Sequence, residues 1–418
     1  FLGRCDVCDA YLNQPTKDTR TKMDLQLNTL RISDARLEPV AKKVLAGERL
    51  TADDGLALYE SHDLLAVGWL ANHVREKKHG NVTYFNVNRH INPTNICVAH
   101  CKLCAFGRSP DAPGAYNFPL DEIYKRAGDG VAEGATEFHI VGGLHPDLPF
   151  EYYLELIRGL KQRFPQVHLK AFTMVEVGYY SRISKLSIRD TLLAMKAAGV
   201  DSLPGGGAEI FHPRVRKIIC DHKVSGQRWL EIARTAHELG LRSNATMLYG
   251  HIETNEERVD HLLQLRAAQD KTHGFVTFIP LAFHPANTGL AHIPPPTGID
   301  DLKAIAVSRL LLDNFDHIKA YWIMLTPRIA QVALRFGAND LDGTVVEEKI
   351  YHDAGATTPE YMTRAELERL IRAAGRVPVE RDTLYNPVDR VKNPMPPPRV
   401  AAQPSNGFIP ATSLTLNV

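Results

Sequence analysis

Between residues 84 and 346, short β-branched or apolar runs alternate with amphipathic segments, and that rhythm leaves the chain few folds to choose from. The strand candidates are "YFNVNRHI" (84–91), "EFHIVGG" (137–143), "VHLKAFTM" (167–174), "VDSLPGG" (200–206), "RSNATMLYG" (242–250) and "GFVTFIPLAF" (274–283). Weaker runs follow at 317–325 and 338–346, and helical patterns fill the gaps, among them 149–164, 187–199 and 255–269. Gly134, Gly199 and Gly240 stand where a left-handed residue closes a helix. Alternation of this kind predicts a parallel sheet. Six strong repeats and two weaker ones suit an α/β fold of the (β/α) TIM-barrel type better than an open doubly wound sheet. In such a barrel, chemistry belongs on the loops after the strands.

The flanks read differently. Residues 31–80 carry helical periodicity and are expected to form an N-terminal helical cap, with Thr51 as an N-cap backed by Asp53 and Asp54. Residues 1–30 read as a tail that need not be native, with Met23 as an alternative beginning. The barrel is expected over 81–376 and a Pro-rich, irregular extension over 377–418. Forty-nine basic residues against 48 acidic ones give a net charge of +1, which offers no footprint for nucleic acid. No apolar run is long enough to span a bilayer.

Six cysteines in 418 residues are too sparse for a disulfide scaffold and point to a reducing cytoplasm. Three of them cluster in "NICVAHCKLCAFG": Cys97, Cys101 and Cys104, spaced C-x3-C-x2-C on the loop after the first candidate strand. Neither a zinc ribbon nor a bacterial ferredoxin uses this spacing, and no fourth cysteine lies nearby. Cys220 reads as a buried structural thiol, and the Cys5–Cys8 pair, half of a zinc knuckle with no other half to complete it, as part of a stray tail. A metal site one protein ligand short is usually catalytic. An electron carrier or a structural zinc site remains the alternative of a different class.

At these residues the chain resembles the radical S-adenosylmethionine (SAM) superfamily. That resemblance implies a 4Fe-4S cluster held by Cys97, Cys101 and Cys104, with SAM on the fourth iron. Leu103 stands where the superfamily usually has an aromatic residue. "VGGLHP" (141–146) resembles the glycine pair that lets backbone approach SAM, here Gly142 and Gly143, and "MLYGHIETNEER" (247–258) resembles the fifth-strand motif near adenine.

Longer stretches narrow the resemblance to the branch that makes menaquinone through futalosine and the deazaflavin cofactor. They include "NRHINPTNIC" (88–97), "DSLPGGGAEIF" (201–211), "FIPLAFHPANTGL" (278–290) and "GANDLDGT" (337–344). Within that branch, "IVGGLHP" and "TMLYGHIE" look most like the aminofutalosine synthases, with the cyclic dehypoxanthinyl futalosine synthases and deazaflavin synthases as neighbours. By that resemblance, a 5′-deoxyadenosyl radical would add to 3-[(1-carboxyvinyl)oxy]benzoate, giving aminodeoxyfutalosine, methionine and carbon dioxide or bicarbonate. A flavodoxin- or ferredoxin-type reductant is implied. Glu209 and His145 are the catalytic candidates, and Gly142, Gly143, Glu176 and Glu253 the SAM-binding ones. His284, Arg182 and Arg242 join His145 as candidate partners for the substrate carboxylates. The run "PGGG" (204–207) lacks the Lys-Ser/Thr of a phosphate loop and is expected to bring backbone close to a nucleoside.

Overall fold

The computed structural model describes residues 31–391. The Cys5–Cys8 pair, Met23 and the far part of the Pro-rich extension lie outside the described residues. Three helices open the described part of the chain: α1 (Leu37–Ala46), α2 (Ala52–Glu60) and α3 (Leu64–His79). Thr51 caps α2 as expected, accepting the Asp54 N–H while the Asp54 carboxylate accepts the Thr51 N–H at 2.7 Å.

The run expected as a single first strand divides into two. β1 (Val82–Asn86) and β2 (Asn88–Ile91) belong to different sheets. From β2 the alternation proceeds as expected: α4 (Leu120–Ala132), β3 (Glu137–Ile140), α5 (Phe150–Arg163), β4 (His168–Ala171), α6 (Met174–Ser184), α7 (Ile188–Ala198) and β5 (Ser202–Leu203). It continues through α8 (Pro213–Ile219), α9 (Gly226–Glu238), β6 (Arg242–Tyr249), α10 (Asn255–Thr272), β7 (Phe275–Ala282), α11 (Gly298–Leu311) and β8 (His317–Ile318). The run at 317–325 keeps only those two strand residues. Its remainder enters α12 (Trp322–Ala333), which kinks where Thr326 precedes Pro327.

Strands β2 to β8 pair in parallel and in chain order, the topology of a (β/α) barrel. Its two edges meet β9 (Asp340–Gly343) and the residues after it, through the isolated parallel bridges Lys319↔Asp340 and Arg89↔Val346. The ring is therefore completed by bridges and not by a continuous ladder. A short helix, α13 (Ile350–Asp353), follows, then α14 (Arg364–Ala373) and β10 (Val377–Glu380). β10 pairs with β1, which pairs with β9. The head of the expected irregular extension is thus a strand, because the β1 edge supplies hydrogen-bond partners that a local reading does not see.

The outer helices bury one face each. Tyr153, Leu156, Ile157 and Leu160 do so on α5, and Trp229, Ile232, Ala233 and Ala236 on α9, both at the i, i+3, i+4, i+7 spacing. α2 and α3 pack along α10 and α11, where Gly55 lets α2 approach Leu311 and Val259. Inside the ring, three buried charge pairs come from β3, β4 and β9 and from the residues just after β8 and β10. Glu137 pairs with Lys170 at 2.7 Å, Lys319 with Asp342 at 2.9 Å, and Arg381 with Asp340 at 2.8 Å. Among the described residues, no helix is long and apolar enough to cross a membrane.

Candidate active site

A cavity of about 270 Å³ opens at the C-terminal ends of the strands, and Cys97, Cys101 and Cys104 all line it. Backbone bonds hold the cysteine loop against the loop after β3: Val98 N–H donates to Leu144 O at 3.0 Å, and Gly143 N–H to Thr94 O at 2.8 Å. Cys97 N–H meets Arg108 O at 2.9 Å, and Asn95 ties the loop to Tyr116 and Gly114 with its side-chain amide. This approach needs glycine, since a Cβ on Gly143 would lie 2.1 Å from Ile96 O.

The three sulfurs suit a cluster. The N–H of Ala99 points at Cys97 Sγ (3.5 Å) and that of Gly107 at Cys104 Sγ (3.4 Å), the kind of bond that stabilises thiolate ligands. Among the described residues, no three His, Cys, Asp or Glu side chains converge as one metal ion demands. What the structure shows of the three thiols is that all of them line one cavity. Burial pushes the free Cys101 thiol up to about 12, and the nearby Lys223 ammonium opposes that rise. Cys220 is buried, as expected of a structural thiol.

The predicted site residues fall into two groups. Gly142, Gly143, Glu176, Glu209 and His284 line the cavity with the cysteines. Glu176 belongs to the capping box of α6: its Oε2 accepts the Thr173 N–H (2.7 Å) and hydroxyl (2.8 Å), and its Oε1 accepts the Gly142 N–H (3.0 Å). One carboxylate therefore joins the glycine pair after β3 to the start of the helix after β4. Burial raises its pKa to about 7 against those donors. Glu209, at φ +47, meets Lys223 Nζ at 2.6 Å. Burial opposes its ionisation, but Lys223, then Arg216 and His251, hold it below the usual carboxylate range. Nothing in "KIICDHK" marks Lys223 at the sequence level, because it is brought to Glu209 and the cysteines only by the fold.

The other group does not reach the cavity. Glu253 spends both oxygens on its own loop, accepting from Gly250 N–H (2.6 Å), His251 N–H (2.9 Å) and Arg258 Nε (2.7 Å). Burial acts against it, yet the His251 and Arg258 contacts bring its pKa down to about 2. His145 is buried beside the cavity but does not line it; its Nδ1 accepts the Asp147 N–H, and its carbonyl accepts the Tyr179 hydroxyl. Arg182 lies 5.0 Å over the Tyr179 ring. Arg242 sits exposed at the N-terminal start of β6, the end away from the loops that carry the cysteines. Residues not among the candidates also take their place in the wall: His90, His139, Tyr321 and Asp342, which lie inside the runs named above, and Glu348, which lies in none of them.

A parallel (β/α) ring with three cysteines on its first loop and a glycine pair beside them defines a class, the radical SAM enzymes. The radical SAM superfamily model matches residues 91–265, and the model of the CofH/MqnC C-terminal region matches 272–394. An aminodeoxyfutalosine synthase of Thermus thermophilus is 52% identical over 86% of this chain and 99% of its own length. The aminodeoxyfutalosine synthase of Streptomyces coelicolor is 48% identical over 87% and 97%. The cyclic dehypoxanthine futalosine synthase of that same organism is 40% identical over 84% and 88%. Among solved structures, the hydrogenase maturase HydG has a TM-score of 0.66 at 16% identity, covering 87% of this chain and 80% of that one. Methylornithine synthase has a TM-score of 0.64 at 19% identity, covering 81% and 96%. The chain belongs to the radical SAM superfamily, in the group that carries the CofH/MqnC C-terminal region and includes the aminodeoxyfutalosine synthases.

Proposed function

We propose that this chain is a cytoplasmic aminodeoxyfutalosine synthase that joins the 5′-deoxyadenosyl group of SAM to 3-[(1-carboxyvinyl)oxy]benzoate, releasing methionine and carbon dioxide or bicarbonate. The observation that carries the choice among sister reactions is the gap in identity within one organism, 48% to the aminodeoxyfutalosine synthase against 40% to the cyclising enzyme. A 4Fe-4S cluster on Cys97, Cys101 and Cys104, fed by a flavodoxin- or ferredoxin-type reductant, would supply the electron that cleaves SAM.

The chain's own residues then orient and enclose. Gly142 and Gly143, braced by Glu176, offer bare backbone to the amino-acid end of SAM, while Glu209 is placed to accept from the bound nucleoside. Gly206, Gly207, Thr246 and Leu248, which line the same cavity, would meet the sugar and base. Ile279, Leu281, Phe283 and Met324 form an apolar wall that suits an aromatic ring and excludes hydrogen donors able to quench a carbon radical.

Anaerobic reconstitution, reduction and addition of SAM with the enol ether should yield the covalent adenosyl product by mass spectrometry. Cys101→Ala should lose both the cluster absorbance and SAM cleavage. Accumulation of free 5′-deoxyadenosine with no adduct would move the chain to the cyclising reaction.

A further inference from the structure

Two buried polar side-chain atoms in the cavity wall have no hydrogen-bond partner, His90 Nε2 and Tyr321 Oη. The residues are 6% and 5% exposed. A buried polar group left unmade is expensive, so a native protein that keeps two of them in one cavity has a use for them. Several other polar groups of the wall are engaged. Asp342 is held by Lys319, and Glu209 by Lys223. Glu348 accepts from the Ile350 and Tyr351 N–H groups and from His352, while the His284 Nε2 meets Met324 O at 3.1 Å.

Strand order divides the cavity. The loops after β2 to β5 carry the cysteines, Gly142 and Gly143, Glu176, and the glycine run with Glu209, which is the side assigned to SAM. The apolar wall of Ile279, Leu281, Phe283 and Met324 comes from β7, the residue after it and the start of α12, and Tyr321 is the N-cap residue of α12. His90 comes from β2 and reaches the same region from the other side, because the ring closes there through Arg89↔Val346. Its imidazole stacks on that of His139, with centroids 4.5 Å apart.

We propose that His90 and Tyr321 hold the ring carboxylate of the aryl enol-ether substrate, His90 donating through Nε2–H and Tyr321 through its hydroxyl, an inference that rests on the reaction proposed above. Both groups are neutral donors. Burial lowers the His90 pKa against the pull of Glu348, Asp342 and Glu137, and raises that of the Tyr321 phenol. With Asp342 and Glu348 already compensated, an incoming carboxylate brings the acceptors that these two donors lack. Donors beside the apolar wall meet what the benzene ring carries, leaving the enol carbons free to face the SAM side.

The test is equilibrium binding, by calorimetry, to the anaerobically reconstituted enzyme with SAM and without reductant. Two unreactive ethers serve as probes: 3-(1-carboxyethoxy)benzoate and 2-phenoxypropanoate, which lacks the ring carboxylate. Wild type should prefer the first, and His90→Phe and Tyr321→Phe should each shrink that preference by about tenfold. Retention of the wild-type preference in both variants overturns the proposal, as does a wild type with no preference. Cluster absorbance reports whether each variant is folded, and the nearly isosteric Tyr321→Phe decides alone if His90→Phe does not load. Turnover of the enol ether by wild type is scored separately, so failure of the proposed reaction and failure of this carboxylate site are distinguishable.

Discussion

Glu176 does two jobs with one carboxylate. It completes the N-terminal cap of α6 and anchors the Gly142 N–H, so the helix start and the glycine pair move together. Replacing it by alanine leaves Thr173 as the N-cap but removes the carboxylate's half of the capping box and orphans the Gly142 donor, which should lower stability by about 1–3 kcal/mol and weaken SAM binding. Glu176→Gln, which keeps one acceptor oxygen, should fall between alanine and wild type. Thermal unfolding and SAM titration check this; an alanine variant with unchanged midpoint and SAM affinity would sink it. The tight approach of Gly143 to Ile96 O places the same constraint on the cysteine loop from the other side.

At the scale of an element, α13 is short yet contributes Ile350 and Tyr351 to the cavity wall. Glu348 binds its first N–H groups and also meets His352 Nδ1 at 3.2 Å, while His352 Nε2 reaches Thr358 O at 3.0 Å. The Glu348 bond raises the His352 pKa from 6.5 to about 9. A histidine with a raised folded-state pKa contributes stability that is complete below its unfolded value and lost as pH rises through the folded one. Wild type should therefore lose thermal stability between pH 6.5 and about 9 more steeply than His352→Gln does. Equal slopes in the two proteins would refute the pairing.

For the whole molecule, the decisive feature is a layer of charge inside the ring. Lys170 and Glu137 are 4% and 0% exposed, and Arg381 and Asp340 are 1% and 0% exposed. Arg381 comes from just beyond β10, and Thr383 donates to Glu137 at 2.7 Å, so the C-terminal segment closes the charge layer of the barrel. Removing one member of a buried pair leaves the other uncompensated, and Arg381→Ala should cost about 3–5 kcal/mol. Chemical denaturation would measure it. A loss no larger than that of an exposed pair would show that Asp340 finds another partner.

Much of the fold and part of the site are legible in the order of residues. The spacing of Cys97, Cys101 and Cys104, the glycine pair, and the strand–helix rhythm are local facts, and local facts survive in sequence. Thr51 and the helices α5, α7 and α10 can be read for the same reason, since caps and periodicity lie within a few residues of each other. The division of residues 84–91 between two sheets cannot, because the run mixes apolar and polar residues without a turn signal and only the partners of its two halves differ.

The sequence by itself determined the alternation of parallel strands and helices and the three-thiolate motif on the first loop, and through resemblance the class of chemistry that motif serves. Tertiary structure alone decided which acidic and basic residues meet the cavity. It turned Glu253 onto its own loop, kept His145 out of the lining, left Arg242 at the wrong end of β6, and brought Lys223, His90 and Tyr321 to the wall. The physical reason is that a polar side chain's role depends on the partner that satisfies it, and here those partners lie on strands and loops distant in the chain.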